Sequence, residues 1–468
     1  MMRRGKLAIV MLVLLSLLGG CLGQKPVLEE LGKDGSGKIK IMYDSEEAFY
    51  NDYGNQFLIK YPNIKFEVVS TGEIDEEQKA KGISYQEALL HFVQKHMPDV
   101  IIANPSTHEA LVQEGKLYNL EAIISQERFE LEGYMPGLLE MLRELGGGSL
   151  YGLAPYFYAS IIFYNADLFR EHGIELPRNK MTWKETLELA ERFAGIGSGE
   201  NQIYGFTETI GSGHNLLFKI AETLSQCVLD SRGEKVTFET KGWKEALELT
   251  AHANRSKAAY TMPLEPEGEG PIALEQGELF FSGKAAMVMA SFWFEPSFRY
   301  RFANDKESSA FDWGMVTVPI DPSFPDETPH TSMPEIFGIT ADSPNKRAAW
   351  EFVKYVNGPE MERAASRTPG GKLSTRVNFI KEIDGKSVEP LYMLKPKVTS
   401  RTVWGGEKGG FPYPFYAAMT NLITRELKAM VENGKSAEEA AAAIQREGEA
   451  ALKQARETEK AKREAEKK

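Results

Sequence analysis

The sequence contains few cysteines and lacks common motifs of enzyme chemistry. Two cysteines, Cys21 and Cys227, occur in 468 residues. Two cysteines cannot build a disulfide framework, so burial of an apolar core must stabilise the fold. Neither Gly-x-Ser-x-Gly nor His-Glu-x-x-His occurs, and the seven histidines are scattered along the chain. We therefore predict no catalytic residue, no metal and no cofactor, and we expect that the protein is not an enzyme.

The sequence also lacks a basic excess and any long apolar run beyond its beginning. The formal net charge is −12, which argues against a nucleic-acid partner, because such a partner selects a basic surface. Beyond the first 20 residues, no apolar run approaches the roughly 20 residues of a membrane span.

The first 21 residues have the pattern of an export signal. Arg3, Arg4 and Lys6 precede an apolar run at 7–18, which is followed by Gly19-Gly20-Cys21. The segment Leu18-Gly19-Gly20-Cys21 resembles the lipobox of bacterial lipoproteins, in which the cysteine is diacylated after cleavage. The sequence therefore predicts a signal peptide at 1–20, lipidation of Cys21, and a glycine-containing linker at 21–37. We expect an exported protein held by lipid on the outer face of the cell membrane.

The segment that follows predicts an α/β fold. Alternating or buried apolar runs at 38–43, 64–69 and 98–103 are typical of strands, and amphipathic helical patterns lie between them. This β-α-β-α-β order predicts a mainly parallel sheet with helices on both faces.

A series of motifs in fixed order extends over residues 37–430. They lie at 98–100, 115–120, 150–155, 164–169, 173–177, 182–183, 281–287, 343–352 and 371–376. In order and spacing they resemble the extracellular solute-binding proteins of ABC importers, in the sugar-binding group that includes maltose-binding protein. The resemblance implies a periplasmic-binding-protein-like fold of two α/β lobes with a hinge and an interlobe cleft.

The resemblance also implies where the chain crosses between the lobes. The crossings are expected near Tyr158, Ala290 and Ile336. Lobe 1 is then 38–158 plus 290–334, lobe 2 is 159–289 plus 335–455, and a charged tail occupies 456–468. The sequence departs from the family pattern at 332–335, where a Gly-rich turn is usual, and at Ser374, where proline is usual. Both departures are expected near the cleft.

Ligand-binding residues are expected where strands end. Ligands of open α/β sheets bind at the carboxyl ends of the strands, and sugars need aromatic faces together with carboxylates or amides. The same residue types also cap helices and form turns, so each position has a purely structural alternative. A segment of maltose-binding protein similar to 404–416 stacks on sugar, which adds three aromatic residues. The predicted ligand-binding residues are Tyr43, Asp44, Ser45, Asn104, Tyr156, Trp293, Glu335, Trp404, Tyr413 and Phe415.

The sequence thus predicts the binding protein of an ABC importer. It is expected to capture a carbohydrate, in particular an oligosaccharide, by lobe closure and to deliver it to membrane permease subunits, and to act as a monomer. Two alternatives remain open. One is a binding protein for a non-sugar solute, and the other is an exported glycoside hydrolase with paired carboxylates.

Overall fold

The computed structural model describes residues 27–208, 214–260, 274–304, 310–366, 372–397, 403–404 and 413–466. The signal peptide and Cys21 lie outside these residues. Strands are numbered in chain order: β1 Gly37–Tyr43, β2 Ile64–Ser70, β3 Val100–Ala103, β4 Gly152–Leu153, β5 Tyr156–Asn165, β6 Tyr204–Glu208, β7 Ala285–Ser291, β8 Trp313–Val316, β9 Glu327–Thr328, β10 Thr331–Ser332, β11 Ile336–Ile339, β12 Leu373–Ser374, β13 Glu382–Ile383, β14 Lys386–Ser387 and β15 Lys395–Pro396.

The helices surround two main sheets. A π-helical turn at Tyr50–Gly54 connects the first two helices. No described helix is long and apolar enough to cross a membrane. The α-helices are α1 Glu46–Phe49, α2 Asn55–Lys60, α3 Gly72–Lys81, α4 Tyr85–His96, α5 Pro105–Gln113, α6 Glu121–Glu127, α7 Leu138–Leu145, α8 Ala166–Glu171, α9 Trp183–Glu191, α10 Asn215–Thr223, α11 Lys241–Arg255, α12 Leu274–Phe281, α13 Glu295–Asn304, α14 Lys346–Val356, α15 Pro359–Ala365, α16 Tyr413–Asn433 and α17 Ala437–Glu466.

The first sheet has the strand order β2-β1-β3-β11-β4. β1 is parallel to β2 and β3, whereas β11 is antiparallel to β3 and β4. Alternate side chains of β1 enter different apolar clusters: Ile39 and Ile41 lie in one, and Met42 lies in another on the opposite face. This follows from the two-residue period of a strand, and it confirms the predicted parallel core of the sheet with helices on both faces.

The second sheet is built around β5, the longest strand. β7 and β8 pair antiparallel with the second half of β5, and β6 pairs parallel with β7. Helices α8 to α11, α16 and α17 contribute to an apolar cluster with Ile162, Met287 and Met289 on one face of this sheet. The first cluster continues along the other face through Phe163 and Trp313. Two α/β layers therefore share β5 as their connection.

The chain passes between the two sheets at three places in the described residues. At the first passage it leaves the first sheet after β4 and enters β5. At the second it returns to the first sheet, from β10, which pairs with β5 at Tyr158, to β11, which pairs with β3. The third passage is at β12, which pairs with β5 at Tyr156 and Phe157. One of these passages thus lies near Tyr158, and another lies just before Ile336.

The strand pairing differs from the predicted lobe division at two places. The crossing predicted near Ala290 does not occur there, because β7 and the following β8 both pair with β5 in the second sheet. The strand at Ile336, assigned to lobe 2, pairs with β3 in the first sheet, and α14 packs beside it. The apolar pattern of a strand specifies that it is buried but not which neighbour it pairs with, so the sequence left this choice open.

Candidate functional site

Polar and aromatic side chains meet where the chain passes between the sheets. We call this set the tyrosine–carboxylate cluster. Its members are Tyr43, Asp52, Tyr53, Tyr156, Tyr158, Trp293 and Glu335.

Tyr43 ends β1 and enters the cluster from the first sheet. Its hydroxyl donates to Asp52 Oδ2 at 2.6 Å, and its ring meets the Tyr53 ring edge-on with centroids 6.1 Å apart. Burial, followed by the negative charges of Glu335 and Asp52, raises the pKa of Tyr43 above its ordinary value. The hydroxyl is therefore kept protonated, as a hydrogen-bond donor.

Asp52 and Tyr53 come from the π-helical turn, and the sequence analysis missed both. Such turns widen a helix by one residue and occur frequently at functional sites. Gly54 ends this turn in close packing, since a Cβ there would lie 2.7 Å from Tyr50 Cδ1. The apolar pattern of an α-helix repeats every 3.6 residues. It therefore predicts neither a π-helical turn nor the direction in which the side chains of such a turn point.

Glu335 lies between β10 and β11, at the return to the first sheet. One of its carboxylate oxygens accepts a hydrogen bond from the Tyr53 hydroxyl. Burial, followed by the negative charge of Glu335, raises the pKa of Tyr53 and of Tyr156. One carboxylate thus faces residues from the first sheet and from β5, on both sides of the passage between the sheets.

Trp293 gives the cluster an exposed aromatic surface. It follows β7 directly and is 60% exposed. Its ring meets Tyr158 edge-on at 6.3 Å, and Tyr158 meets Tyr156 in the same way at 5.6 Å. An exposed indole beside hydroxyl donors and a carboxylate provides both of the contacts that a sugar ring needs.

Glu208 is a second carboxyl that the sequence analysis missed. It ends β6 opposite Met289, two residues before the end of β7, and so lies at the strand edge from which Trp293 continues. It is buried, and its Oε2 accepts from Asn215 Nδ2. Burial raises the pKa of Glu208 to about 8, and among the described residues its Oε1 has no hydrogen-bond partner. Ligand-binding residues were expected where strands end. Glu208 would have been among them if β6 had been predicted as a strand.

A pocket of about 300 Å³ adjoins the cluster behind Tyr156. Asp52, Tyr53 and Tyr156 belong to both the cluster and the pocket wall. The remaining lining residues are Asn51, Pro155, Val356, Met361, Glu362, Ser366, Lys372, Ser374 and Ile380.

Three other predicted residues near the first sheet lie at strand ends, but two of them cap helices. Asn104 accepts from Thr107 N at 3.0 Å at the start of α5, and Ser45 accepts from Ala48 N at 3.1 Å at the start of α1. Asp44 is exposed. The caps account for Asn104 and Ser45 without a ligand.

Two of the predicted C-terminal aromatics, Phe415 and Trp404, pack with the apolar cluster of the second sheet. Phe415 is 0% exposed and packs in the apolar cluster of the second sheet, so it presents no surface to a ligand and that prediction needs correction. Trp404 packs beside Phe218 and Tyr416, with centroids 5.2 and 4.5 Å away. The side chain of Tyr413 lies outside the described residues. Helix α16 carries both a buried aromatic, Phe415, and an exposed one, Tyr416. The sequence does not show which aromatic of such a helix faces the core.

The described residues contain no group of three or more His, Cys, Asp or Glu side chains that could hold a metal ion. Among them, the site consists of carboxyl groups, hydroxyl groups and aromatic rings. Its chemistry is that of hydrogen bonding and stacking.

Two α/β layers, three passages between them and a polar aromatic cluster at those passages are the features of a two-lobed solute-binding fold. The model of the bacterial extracellular solute-binding protein family matches residues 43–363. The chain belongs to this family.

Solved structures share the fold at low sequence identity. A sugar transporter from Rhizobium etli, in an open conformation, has 21% identity and a TM-score of 0.61, covering 88% of this chain and 98% of that one. The sugar-binding protein MalE from Xanthomonas citri has 16% identity and a TM-score of 0.61, covering 90% and 99%. An ABC substrate-binding protein from Listeria monocytogenes in complex with cycloalternan has 17% identity and a TM-score of 0.54, covering 90% and 98%. At these identities, the likeness establishes the two-lobed fold.

Proposed function

We propose that this protein is the lipid-anchored substrate-binding protein of an ABC importer, and that it captures a carbohydrate, in particular an oligosaccharide, for delivery to the permease. The observation that carries the proposal is the exposed ring of Trp293 within the tyrosine–carboxylate cluster. Sugar hydroxyls would donate to Glu335 and Asp52, and the apolar face of a sugar ring would stack on the indole. The sugar names of the structural neighbours agree with this chemistry.

Lobe closure would follow from contacts made on both sides of the cleft. Tyr43 and Asp52 belong to the first sheet and its helices, whereas Trp293 follows a strand of the second sheet. A ligand that touches both sides binds the closed form better than the open form, and so shifts the population toward closure.

A sugar panel tests the binding function. Glucose, maltose, maltotriose, galactose, lactose and cellobiose would be titrated while tryptophan emission and melting temperature are recorded. We expect at least one of them to shift the emission and raise the melting temperature. We also expect Trp293→Ala to weaken that binding about tenfold, or about 1.4 kcal/mol, because the stacking surface is lost.

Tyr85→Ala is the matched control for the Trp293 variant. Tyr85 is an exposed aromatic on α4, away from the cluster, so its removal should leave the affinity unchanged. The sugar assignment is wrong if no member of the panel changes either signal. Release of new reducing ends from the panel would instead identify a glycoside hydrolase.

The lipid anchor is tested at Cys21. The full chain, expressed in a bacterial host, should partition into the detergent phase of a Triton X-114 extract, whereas Cys21→Ala should move to the aqueous phase, since it removes the thiol that is acylated. Cys227→Ala is the control and should partition like the wild type. Equal partitioning of the wild type and the Cys21 variant would contradict the anchor.

Delivery to a permease is tested in the cell that makes the protein. Deletion of the gene should abolish uptake of the radiolabelled sugar that the panel identifies. Uptake that continues at the wild-type rate would contradict this part of the proposal.

A further inference from the structure

The pocket behind Tyr156 has unused hydrogen-bonding capacity. Glu362, on α15, lines it and is 2% exposed. Its Oε1 has no hydrogen-bond partner within the described ranges. Leaving a buried acceptor without a donor is unfavourable, so a hydroxyl group delivered into the pocket would be stabilised there.

The nearby guanidinium does not use this capacity. Arg376 donates to the backbone carbonyls of Glu130, Glu132 and Asn357, at 2.8, 3.2 and 3.2 Å. Burial raises the pKa of Glu362 to about 7, against the opposing effects of a hydrogen bond with the Ser374 side chain and of the Arg376 charge. Near neutral pH a large share of Glu362 is therefore protonated, and the protonated carboxyl can both donate and accept a hydrogen bond.

Lys372 supplies a donor at the same wall. Its Nζ lies 4.5 Å from the centroid of the Tyr156 ring, in cation–π geometry. It lines the pocket and makes no ion pair with any other residue of the described ranges. An ammonium group held over an aromatic face is available to donate to a ligand oxygen.

The rest of the wall is suited to an uncharged ring. Val356, Met361 and Ile380 form its apolar part, and Asp52 adds a second carboxylate. When Glu362 is protonated, Asp52 balances Lys372 in the described lining, so no excess of positive charge selects an acidic sugar or a phosphate. A volume of about 300 Å³ is at the lower end of ligand pockets, roughly 300–1,000 Å³, and suits a single sugar ring better than a chain.

We propose that this pocket is a second sugar subsite, which holds one neutral pyranose unit while a linked unit stacks near Trp293. Tyr156 lies between the two places. Its ring contacts Lys372 on the pocket side and Tyr158 on the other, and Tyr158 in turn contacts Trp293. The inference rests on the proposed sugar-binding function and makes it more specific. The ligand is a neutral saccharide of at least two units, and the residues behind Tyr156 select it over its monosaccharide.

Calorimetric titration of matched sugars tests the subsite. Glucose is compared with maltose and cellobiose, and galactose with lactose, on the full chain. We expect at least one disaccharide to bind about tenfold or more tightly than its monosaccharide, the equivalent of about 1.4 kcal/mol. Lys372→Met removes the ammonium group and Met361→Trp fills the pocket. Both should weaken disaccharide binding at least about tenfold more than monosaccharide binding.

Lys381→Met is the matched control, because Lys381 is an exposed lysine of the same segment that does not line the pocket. Should Met361→Trp not fold, Lys372→Met decides the result by itself. Equal affinity for both members of every pair, or an advantage of the disaccharide that persists in the variants, overturns the subsite and leaves the sugar-binding function standing. The absence of binding by every sugar overturns both.

Discussion

Replacement of Glu335 by glutamine is expected to weaken sugar binding by roughly 10- to 100-fold. A hydrogen bond to a charged group contributes about 1.5–3 kcal/mol, and the carboxylate faces Tyr53 and Tyr156 from opposite sides of the passage between the sheets. Glutamine keeps the size of the side chain but replaces one acceptor oxygen with a donor. That donor would face two tyrosine hydroxyls that themselves donate. The change in dissociation constant is measured by calorimetry with the sugar that binds most tightly.

Glu360→Gln is the matched control for this variant. Glu360 is an exposed glutamate on α15 whose carboxylate pairs with Lys60 at the surface, and surface pairs contribute little. The control should bind with the wild-type affinity. A Glu335 variant within about twofold of the wild type would show that Glu335 does not contact the ligand and that the cluster serves only to hold the lobes together.

Replacement of Arg376 by methionine is expected to lower the free energy of unfolding by about 3 kcal/mol or more. Arg376 is 4% exposed, and its guanidinium lies 4.4 Å from the centroid of the Tyr134 ring. Methionine keeps the apolar stem but removes every donor to the three backbone carbonyls described above. Each buried acceptor left without a partner costs about 1–3 kcal/mol. Urea unfolding followed by circular dichroism measures the loss.

The hydrogen bonds of Arg376 also stabilise the third passage between the sheets. Arg376 follows β12 by two residues, and the intervening Thr375 donates from its hydroxyl to the carbonyl of Ala154 at 2.7 Å. Thr375 thus fixes the end of β12 to the start of β5, and Arg376 fixes it to the segment 130–132 and to Asn357 after α14. Arg446→Met, at a position whose side chain is 71% exposed on α17, is the control and should change stability by less than about 0.5 kcal/mol. An Arg376 variant as stable as this control would contradict the role of the buried guanidinium.

Local structure could be read from the sequence to within a few residues. The predicted strands at 38–43 and 64–69 are β1 and β2. A capping box of the kind that sequence spacing indicates begins α9, with the Thr182 and Glu185 side chains each accepting from the backbone of the other. These features depend on short-range contacts between residues three or four apart, or on alternation along one strand. Such contacts are contained in the sequence itself.

The site could be predicted only in part. Tyr43, Tyr156, Trp293 and Glu335 were expected at strand ends, and the structure brings them together. Glu335 also lies in the segment that departs from the family's usual Gly-rich turn. Whether these residues bind ligand stays a prediction until the titrations are done. Asp52 and Tyr53 could not be found, because a π-helical turn decides where they point.

The sequence by itself determined the α/β class, the main helices and strands with their caps, and the family. The tertiary structure decided which sheet each strand joins, where the chain crosses between the lobes, and which aromatics are core and which are surface. The physical reason is that burial and periodicity are properties of one segment, whereas strand pairing depends on partners far away in the chain. Glu335 meets Tyr53 across 282 positions of sequence, and no local pattern encodes that contact.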